Sequence, residues 1–150
     1  MRLALGLALA MAVAVAMCDV VLGGSGDKEQ QDLAAVTGTW KMVSIQVDGE
    51  SPPPEAVKTM RLVLSGNQWT MNMDGKKVAS GTLSIDPAKH TIDRVDLDGE
   101  DKGKEFHGIV EVNGDTMKAC WSPAGKDRPT DYSSEKGSKR ELNVLERVKQ

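Results

Sequence analysis

The side chains of this chain that are best suited to chemistry belong to two cysteines and two histidines. His90 and His107 fall in different segments, and no spacing of His, Cys, Asp or Glu matches a zinc or calcium site. A nucleophilic cysteine needs a neighbouring base and a positive environment, and the sequence around Cys120 offers neither. We therefore expect no metal and no cofactor, and we expect Cys120 to be a buried or semi-buried structural thiol.

Motifs for hydrolysis, phosphate binding and nucleic-acid binding are absent from the sequence. It contains no Gly-x-Ser-x-Gly turn and no phosphate-binding glycine loop. The formal net charge is −3, and basic residues are interspersed with acidic ones instead of forming a basic patch with stacking aromatics. The sequence therefore predicts a protein that is not an enzyme and does not bind nucleic acid.

The N-terminus differs in composition from the rest of the chain. Arg2 is followed by an uninterrupted apolar run from Leu3 to Met17, which is typical of an export signal and shorter than the roughly 20 residues that span a bilayer. We predict a signal peptide over 1–23, a flexible Gly/Ser-rich linker over 24–31 and one domain over 32–150. The expected location is the periplasm, the cell envelope or the medium, and an uncleaved anchor is the alternative.

The end of this leader leaves two interpretations of Cys18 open. Ala14-Val15-Ala16 is an A-x-A cleavage pattern, whereas the residues before Cys18 resemble a bacterial lipoprotein box in which Met17 replaces the expected small residue. In the second case Cys18 is lipidated and anchors the protein. If Cys18 is retained, a disulfide to Cys120 is a further alternative. Membrane contact is thus expected only through the leader or a lipid anchor.

Short segments of alternating apolar and polar residues, separated by turn sequences, fill the remainder of the chain. In the clearest of them Trp69, Met71 and Met73 share one face. Four pairs tolerate the positive φ angles that hairpins require: Asp48-Gly49, Asp74-Gly75, Asp98-Gly99 and Asn113-Gly114. A short helical turn is expected near 54–59. The predicted strands are 39–47, 60–65, 68–73, 77–85, 90–97, 105–112, 115–121 and 141–148.

Eight antiparallel strands in up-and-down order can close into a barrel, because the first strand then pairs with the last and no edge stays exposed. The even strand number places the start of the first strand and the end of the last at the same end of the barrel. Trp40 and Arg147 occupy these positions, so we predict that the guanidinium stacks on the indole and closes the floor, a contact worth about 1–2 kcal/mol. The predicted fold class is all-β, an eight-stranded antiparallel up-and-down barrel.

Gly38-Thr39-Trp40 with a distant closing arginine resembles the Gly-x-Trp motif and arginine of the lipocalin, or calycin, superfamily. More closely, residues 32–147 resemble a family of small exported lipocalin-like domains of unknown function that is common in planctomycete-type bacteria. The resemblance is carried by DLAAVTGTWK from Asp32, DKGK from Asp101, Cys120 with the loop after it, and LER ending at Arg147. It implies a barrel fold and an exported location, and no activity, since none is established for that family.

The interior of such a barrel is just wide enough for side chains or for one small ligand, and the sequence favours a filled or nearly filled interior. Methionine is adaptable enough to line a pocket for varied apolar molecules. We expect loops 51–59 and 122–134 at the rim, where Arg128 either meets a polar ligand group or is held by a neighbouring aspartate. The expected cavity wall is Met42, Trp69, Met71, Met117 and Trp121, and the expected rim contacts are Lys126, Arg128 and Tyr132.

The leading functional hypothesis is a monomeric, exported, non-catalytic binding module of lipocalin-like fold for a small apolar or amphipathic ligand. The alternative is a cell-envelope interaction protein with a filled barrel that binds a protein or polysaccharide through its loops. A third hypothesis is an enzyme whose active residues form no linear motif.

Overall fold

The computed structural model describes residues 24–149. These residues contain a closed barrel of eight antiparallel strands in up-and-down order, in which β8 pairs with β1. The predicted all-β fold is confirmed, with every strand boundary within one residue of its expected position. The elements are α1 (Ser25–Val36), β1 (Gly38–Val47), α2 (Pro54–Thr59), β2 (Arg61–Ser65), β3 (Gln68–Met73), β4 (Lys76–Asp86), β5 (Thr91–Asp98), β6 (Glu105–Asn113), β7 (Thr116–Trp121) and β8 (Glu141–Arg147).

The predicted signal peptide (1–23) and the lipidation site Cys18 lie outside the described residues. Within residues 24–149, no helix is both long enough and apolar enough to cross a membrane.

Turn chemistry sets the strand order. Asp74 and Gly75 have φ angles of 52° and 75°, the two positive values of a type I′ hairpin turn. They join Met73 to its register partner Lys76. The tight turn fixes which side chains face inward, because alternate residues of a strand point to opposite faces.

Helix α1 is the main departure from the sequence prediction. A flexible linker was expected over 24–31, whereas the helix begins at Ser25. Leu33 and Val36, three positions apart, are the buried apolar residues of this helix. Two apolar residues are too few to predict a helix from the sequence. Their packing against the end of the barrel stabilises the helix.

The closed end of the barrel is built as predicted. Trp40 and Arg147 are register partners, and the Arg147 guanidinium carbon lies 4.3 Å from the centroid of the Trp40 ring. The guanidinium also donates hydrogen bonds to the carbonyl oxygens of Thr37 at 2.7 Å and Ala35 at 2.8 Å. The indole Nε1–H donates to the carbonyl of Val36 at 2.9 Å. Arginine and tryptophan thereby cap the carboxyl end of α1 and attach it to the barrel.

The glycine of the Gly-x-Trp motif has a steric reason. Gly38 has a φ of 137°, and a Cβ at this position would lie 3.1 Å from Nη1 of Arg147. Any other residue would be strained here and would press on the closing arginine.

Candidate functional site

The interior of the barrel is almost full. The space left at its centre has a volume of about 50 Å³, far below the roughly 300 Å³ at which small-molecule sites begin. All the residues expected in the cavity wall do surround this space: Met42, Trp69, Met71, Met117 and Trp121. The structure therefore brings the predicted wall together around a space that is too small for an amphipathic molecule.

An arginine that the sequence did not single out reaches into the barrel from β5. The Arg94 side chain is only 16% exposed. Its guanidinium carbon lies 4.5 Å from the ring centroid of Phe106, 4.8 Å from that of Trp121 and 5.5 Å from that of Trp69. Aromatic faces on three sides attract the cation through the ring quadrupoles.

Gly108 allows the aromatic rings to pack closely around Arg94. A Cβ added to Gly108 would lie 2.7 Å from Cε3 of Trp121. The missing side chain lets the Trp121 indole lie against the backbone of β6, next to the guanidinium.

Two carboxylates accompany Arg94. Its Nε lies 3.3 Å from Oδ1 of Asp96, and its Nη1 lies 3.8 Å from Oε1 of Glu141. The Asn143 amide donates to the same Glu141 oxygen at 2.8 Å. Burial raises the pKa of the Asp96 carboxyl above its ordinary value, although the charge of Arg94 acts in the opposite direction.

Several polar atoms of this group are buried without hydrogen-bond partners among the described residues: Nε1 of Trp69, Nε of Arg94, Oδ1 of Asp96 and Oδ1 of Asn143. The approach of Arg94 to Asp96 is thus an ion pair without hydrogen-bond geometry. Each such atom costs about 1–3 kcal/mol. Buried polar atoms without hydrogen-bond partners are rare in native proteins, so their presence here needs an explanation.

The open end of the barrel carries two recesses above this group. The first, which we call the acidic recess, has a volume of about 290 Å³ and is lined by both apolar side chains and carboxylates. The second has a volume of about 260 Å³ and lies on the side of Phe106 and Trp121. Arg94 and Glu141 line both. The apolar wall of the acidic recess includes Met60, Met71 and Met73, and its acidic wall is Asp96, Glu100, Asp101 and Glu141.

The expected rim residue Arg128 does not lie at this mouth. Its guanidinium donates to the carbonyl oxygens of Ile92 at 3.1 Å and Gly108 at 2.6 Å, and pairs with Asp93 at 2.9 Å. The alternation of β5 places Asp93 on the outer face. The segment over 122–140, which we call the outer strap, therefore folds back along the outside of the barrel, and an aspartate of β5 holds its arginine.

The other two rim residues do not line the recesses, although Ser122, Pro123 and Ala124 of the same loop line the second one. The Tyr132 ring lies 4.8 Å from Nζ of Lys118, which points outward from β7. Lys126 is exposed in a turn that begins at Pro123. The three predicted rim residues are thus not assembled into a site at the mouth. The sequence indicated the length of the loop over 122–140 but not the direction in which the loop folds.

Cys120 is fully buried beneath the outer strap. Its thiol donates to the carbonyl oxygen of Ser133 at 3.4 Å, and burial raises the pKa of the thiol. A raised pKa keeps the sulfur protonated and unreactive. This agrees with the prediction of a buried or semi-buried structural thiol.

The other end of the strap is attached to the turn that follows β1. The Asp48 carboxylate accepts hydrogen bonds from the backbone N–H groups of Gly137 at 2.7 Å and Lys139 at 2.8 Å. These hydrogen bonds, led by that of Lys139, lower the pKa of the Asp48 carboxyl.

Within residues 24–149, no three His, Cys, Asp or Glu side chains converge as metal ligands would. Closed up-and-down topology, eight strands and the tryptophan–arginine floor define an all-β, lipocalin-like barrel, a fold compatible with a binding module. Comparison of the chain with protein-family models, with characterised proteins and with solved structures finds no match.

Proposed function

We propose that the protein is an exported, non-catalytic binding module that takes a small amphipathic molecule at the open mouth of its barrel. The observation that supports this most directly is the lining of the acidic recess, which combines apolar side chains with carboxylates around about 290 Å³, whereas the central space has only about 50 Å³. Recesses of about 380 Å³ and 300 Å³ on the outer wall are lined mostly by polar residues. Small-molecule sites begin near 300 Å³. The site proposed from the sequence is thereby moved outward, from the centre of the barrel to its entrance.

The walls of the acidic recess suit an amphipathic molecule. Met60 is buried and Met71 and Met73 are partly buried, so their thioethers form an apolar surface that can adapt to a hydrocarbon chain. Each methylene that the recess removes from water contributes about 0.8 kcal/mol. A polar head group would supply hydrogen bonds that Asp96 lacks.

The absence of catalysis is part of the proposal. The Cys120 thiol has a raised pKa and lies under the strap. The His107 imidazole is bound on the outer wall, with Nδ1 2.8 Å from Oδ1 of Asp93. Membership of the exported lipocalin-like family is proposed on the motifs of the sequence together with the floor formed by Trp40 and Arg147.

The proposal is tested by titrating the protein with 1-octanol and measuring the heat of binding by calorimetry. We expect saturable binding to the wild type and about fivefold weaker binding to Met73→Gln, because a polar amide replaces part of the apolar wall. The matched control is Leu97→Gln, since Leu97 is 54% exposed and lies outside the recess. Absence of saturable binding to the wild type would contradict the proposal.

The second candidate function is a cell-envelope interaction protein that binds a protein or polysaccharide through its loops. The nearly filled interior favours it, because a barrel without a cavity can present only its surface. Saturable binding of 1-octanol that Met73→Gln weakens would favour the first function over this one.

A further inference from the structure

We infer that the acidic recess selects amphipathic molecules with a positively charged head group, such as a primary alkylammonium. This inference rests on the proposed function, because it names the ligand class of the same site.

The first observation is the balance of charge around the recess. Four carboxylates line it, and Arg94 is its only basic lining residue among those the structure describes. One of the four, Asp101, is paired with Lys104 at 2.7 Å. Glu100 is exposed at the entrance and Glu141 is partly exposed. A cation entering between these groups is attracted at short range in surroundings less polar than water.

The second observation is independent of charge. The Asp96 side chain is only 5% exposed, lines the recess, and its Oδ1 has no hydrogen-bond donor among the described residues. Arg94 approaches it to 3.3 Å without forming a hydrogen bond. An ammonium group carries several N–H donors and no acceptor. It is therefore the type of head group that would satisfy this oxygen.

Arg94 does not turn the recess into an anion site. Its guanidinium is held against Phe106 and Trp121 at 4.5 Å and 4.8 Å. An anion that approached it would pass the acidic wall and would compete with Glu141, which already lies 3.8 Å from Nη1. Repulsion by the carboxylates thus opposes an anionic ligand, and the same carboxylates attract a cationic one.

The apolar wall accounts for the remainder of the ligand. Met71 lies opposite Leu62 in the β2–β3 ladder, and Met73 follows on the same inward face. Met60 precedes β2 and lines the same recess. A short alkyl chain would lie on these thioethers while its head group faces Asp96.

The test compares three probes of equal chain length by calorimetry at neutral pH: octylammonium, 1-octanol and octanoate, all below the concentration at which micelles form. We expect octylammonium to bind about tenfold more tightly than octanoate, with 1-octanol between them. The preference should fall to about twofold in 0.5 M salt, since salt screens charges at a partly exposed site.

Two substitutions locate the source of the preference. Glu100→Gln removes an exposed carboxylate of the recess and should reduce the preference for octylammonium about threefold. Asp96→Asn should reduce it further, and a thermal melt shows whether this buried variant is folded. The matched control is Glu111→Gln, because Glu111 is exposed on the outer face of β6. It should leave the preference unchanged.

The outcomes separate this inference from the proposed function. Binding of 1-octanol without a preference for octylammonium over octanoate overturns the inference and leaves the proposed function in place. Tighter binding of octanoate also overturns it and assigns Arg94 as an anion anchor. Failure of all three probes to bind overturns both. Should Asp96→Asn not fold, Glu100→Gln against Glu111→Gln decides the result.

Discussion

The two ends of the barrel use the same pair of residue types in opposite ways. At the closed end the Arg147 guanidinium lies on Trp40 and donates to two carbonyl oxygens. At the open end the Arg94 guanidinium lies between aromatic rings, and its Nε has no hydrogen-bond partner among the described residues. Arg147 thus joins α1 to the barrel. Arg94 is largely buried, and its Nε–H donates to no described residue.

The difference in hydrogen bonding distinguishes an arginine that stabilises the fold, Arg147, from one that we assign to a ligand site, Arg94. A buried polar group that is fully hydrogen-bonded stabilises one arrangement of the chain. A buried polar group without partners costs stability, and such costs are typical of functional sites. The arrangement at the mouth, where Asp96 and Arg94 lack hydrogen bonds, is therefore where a ligand would bring the largest gain.

The largest expected difference comes from replacing each arginine by methionine. Arg147→Met should lower the free energy of unfolding by about 2–3 kcal/mol, because the carbonyls of Thr37 and Ala35 lose a charged donor. Arg94→Met combined with Asp96→Leu should change it by no more than about 1 kcal/mol, since methionine packs well on aromatic rings and replacing both partners of a buried ion pair is often close to neutral. Urea unfolding of both variants measures this. Equal losses in the free energy of unfolding of the two variants would contradict the proposed difference between the two ends of the barrel.

The second expected effect concerns the outer strap. Arg128→Met removes the bonds to Ile92, Gly108 and Asp93, so the strap should open locally and expose Cys120. We expect the rate of thiol modification to rise about tenfold, which corresponds to about 1.4 kcal/mol of lost protection. The assay uses a Cys18→Ser background with a thiol reagent, and Lys126→Met is the control because Lys126 is exposed. An unchanged rate would show that Arg128 does not hold the strap.

The smallest expected effects are in the dependence of stability on pH, and they have opposite signs. Burial raises the pKa of Asp96, so the folded state binds this proton more tightly and loses stability as pH rises above the ordinary aspartate pKa of about 3.9. Asp96→Asn should therefore be more stable than the wild type at neutral pH, with the difference vanishing below that value.

Asp48 provides the comparison for this experiment. Hydrogen bonds from Lys139 and Gly137 lower its pKa, so its contribution is present above about pH 3.9 and is lost as pH falls through the lower folded-state value. Asp48→Asn should be less stable than the wild type at neutral pH and should approach it in acid. Thermal melts from acid to neutral pH measure both variants. Differences of the same sign would contradict the assignment.

The sequence contained most of the fold and only part of the site. Alternation and Asp-Gly turns predicted all eight strands, and the positions of Trp40 and Arg147 predicted the floor, because both follow from local periodicity and strand parity. In β5, however, the apolar residues Val95 and Leu97 alternate with Arg94 and Asp96. The pattern alone would turn the charged pair outward, whereas Leu97 is 54% exposed and Asp96 is buried.

The reason for this reversal is tertiary. The inward positions of β5 face Trp69, Phe106 and Trp121, and only the closed barrel brings these rings around one guanidinium. The path of the outer strap likewise depends on contacts between Arg128 and strands far from it in sequence. Neither feature has a local periodicity from which it could be predicted.

The claim that the mouth, and not the closed end, receives a ligand is tested most directly by the indole N–H signals in a nuclear magnetic resonance spectrum. The chain has three tryptophans: Trp69 lines the acidic recess, Trp121 lines the second recess, and Trp40 is buried at the floor. On addition of 1-octanol the signal of Trp69 should shift with saturation, while that of Trp40 stays in place. A Trp40 shift as large as that of Trp69, or no shift of either, would contradict the account.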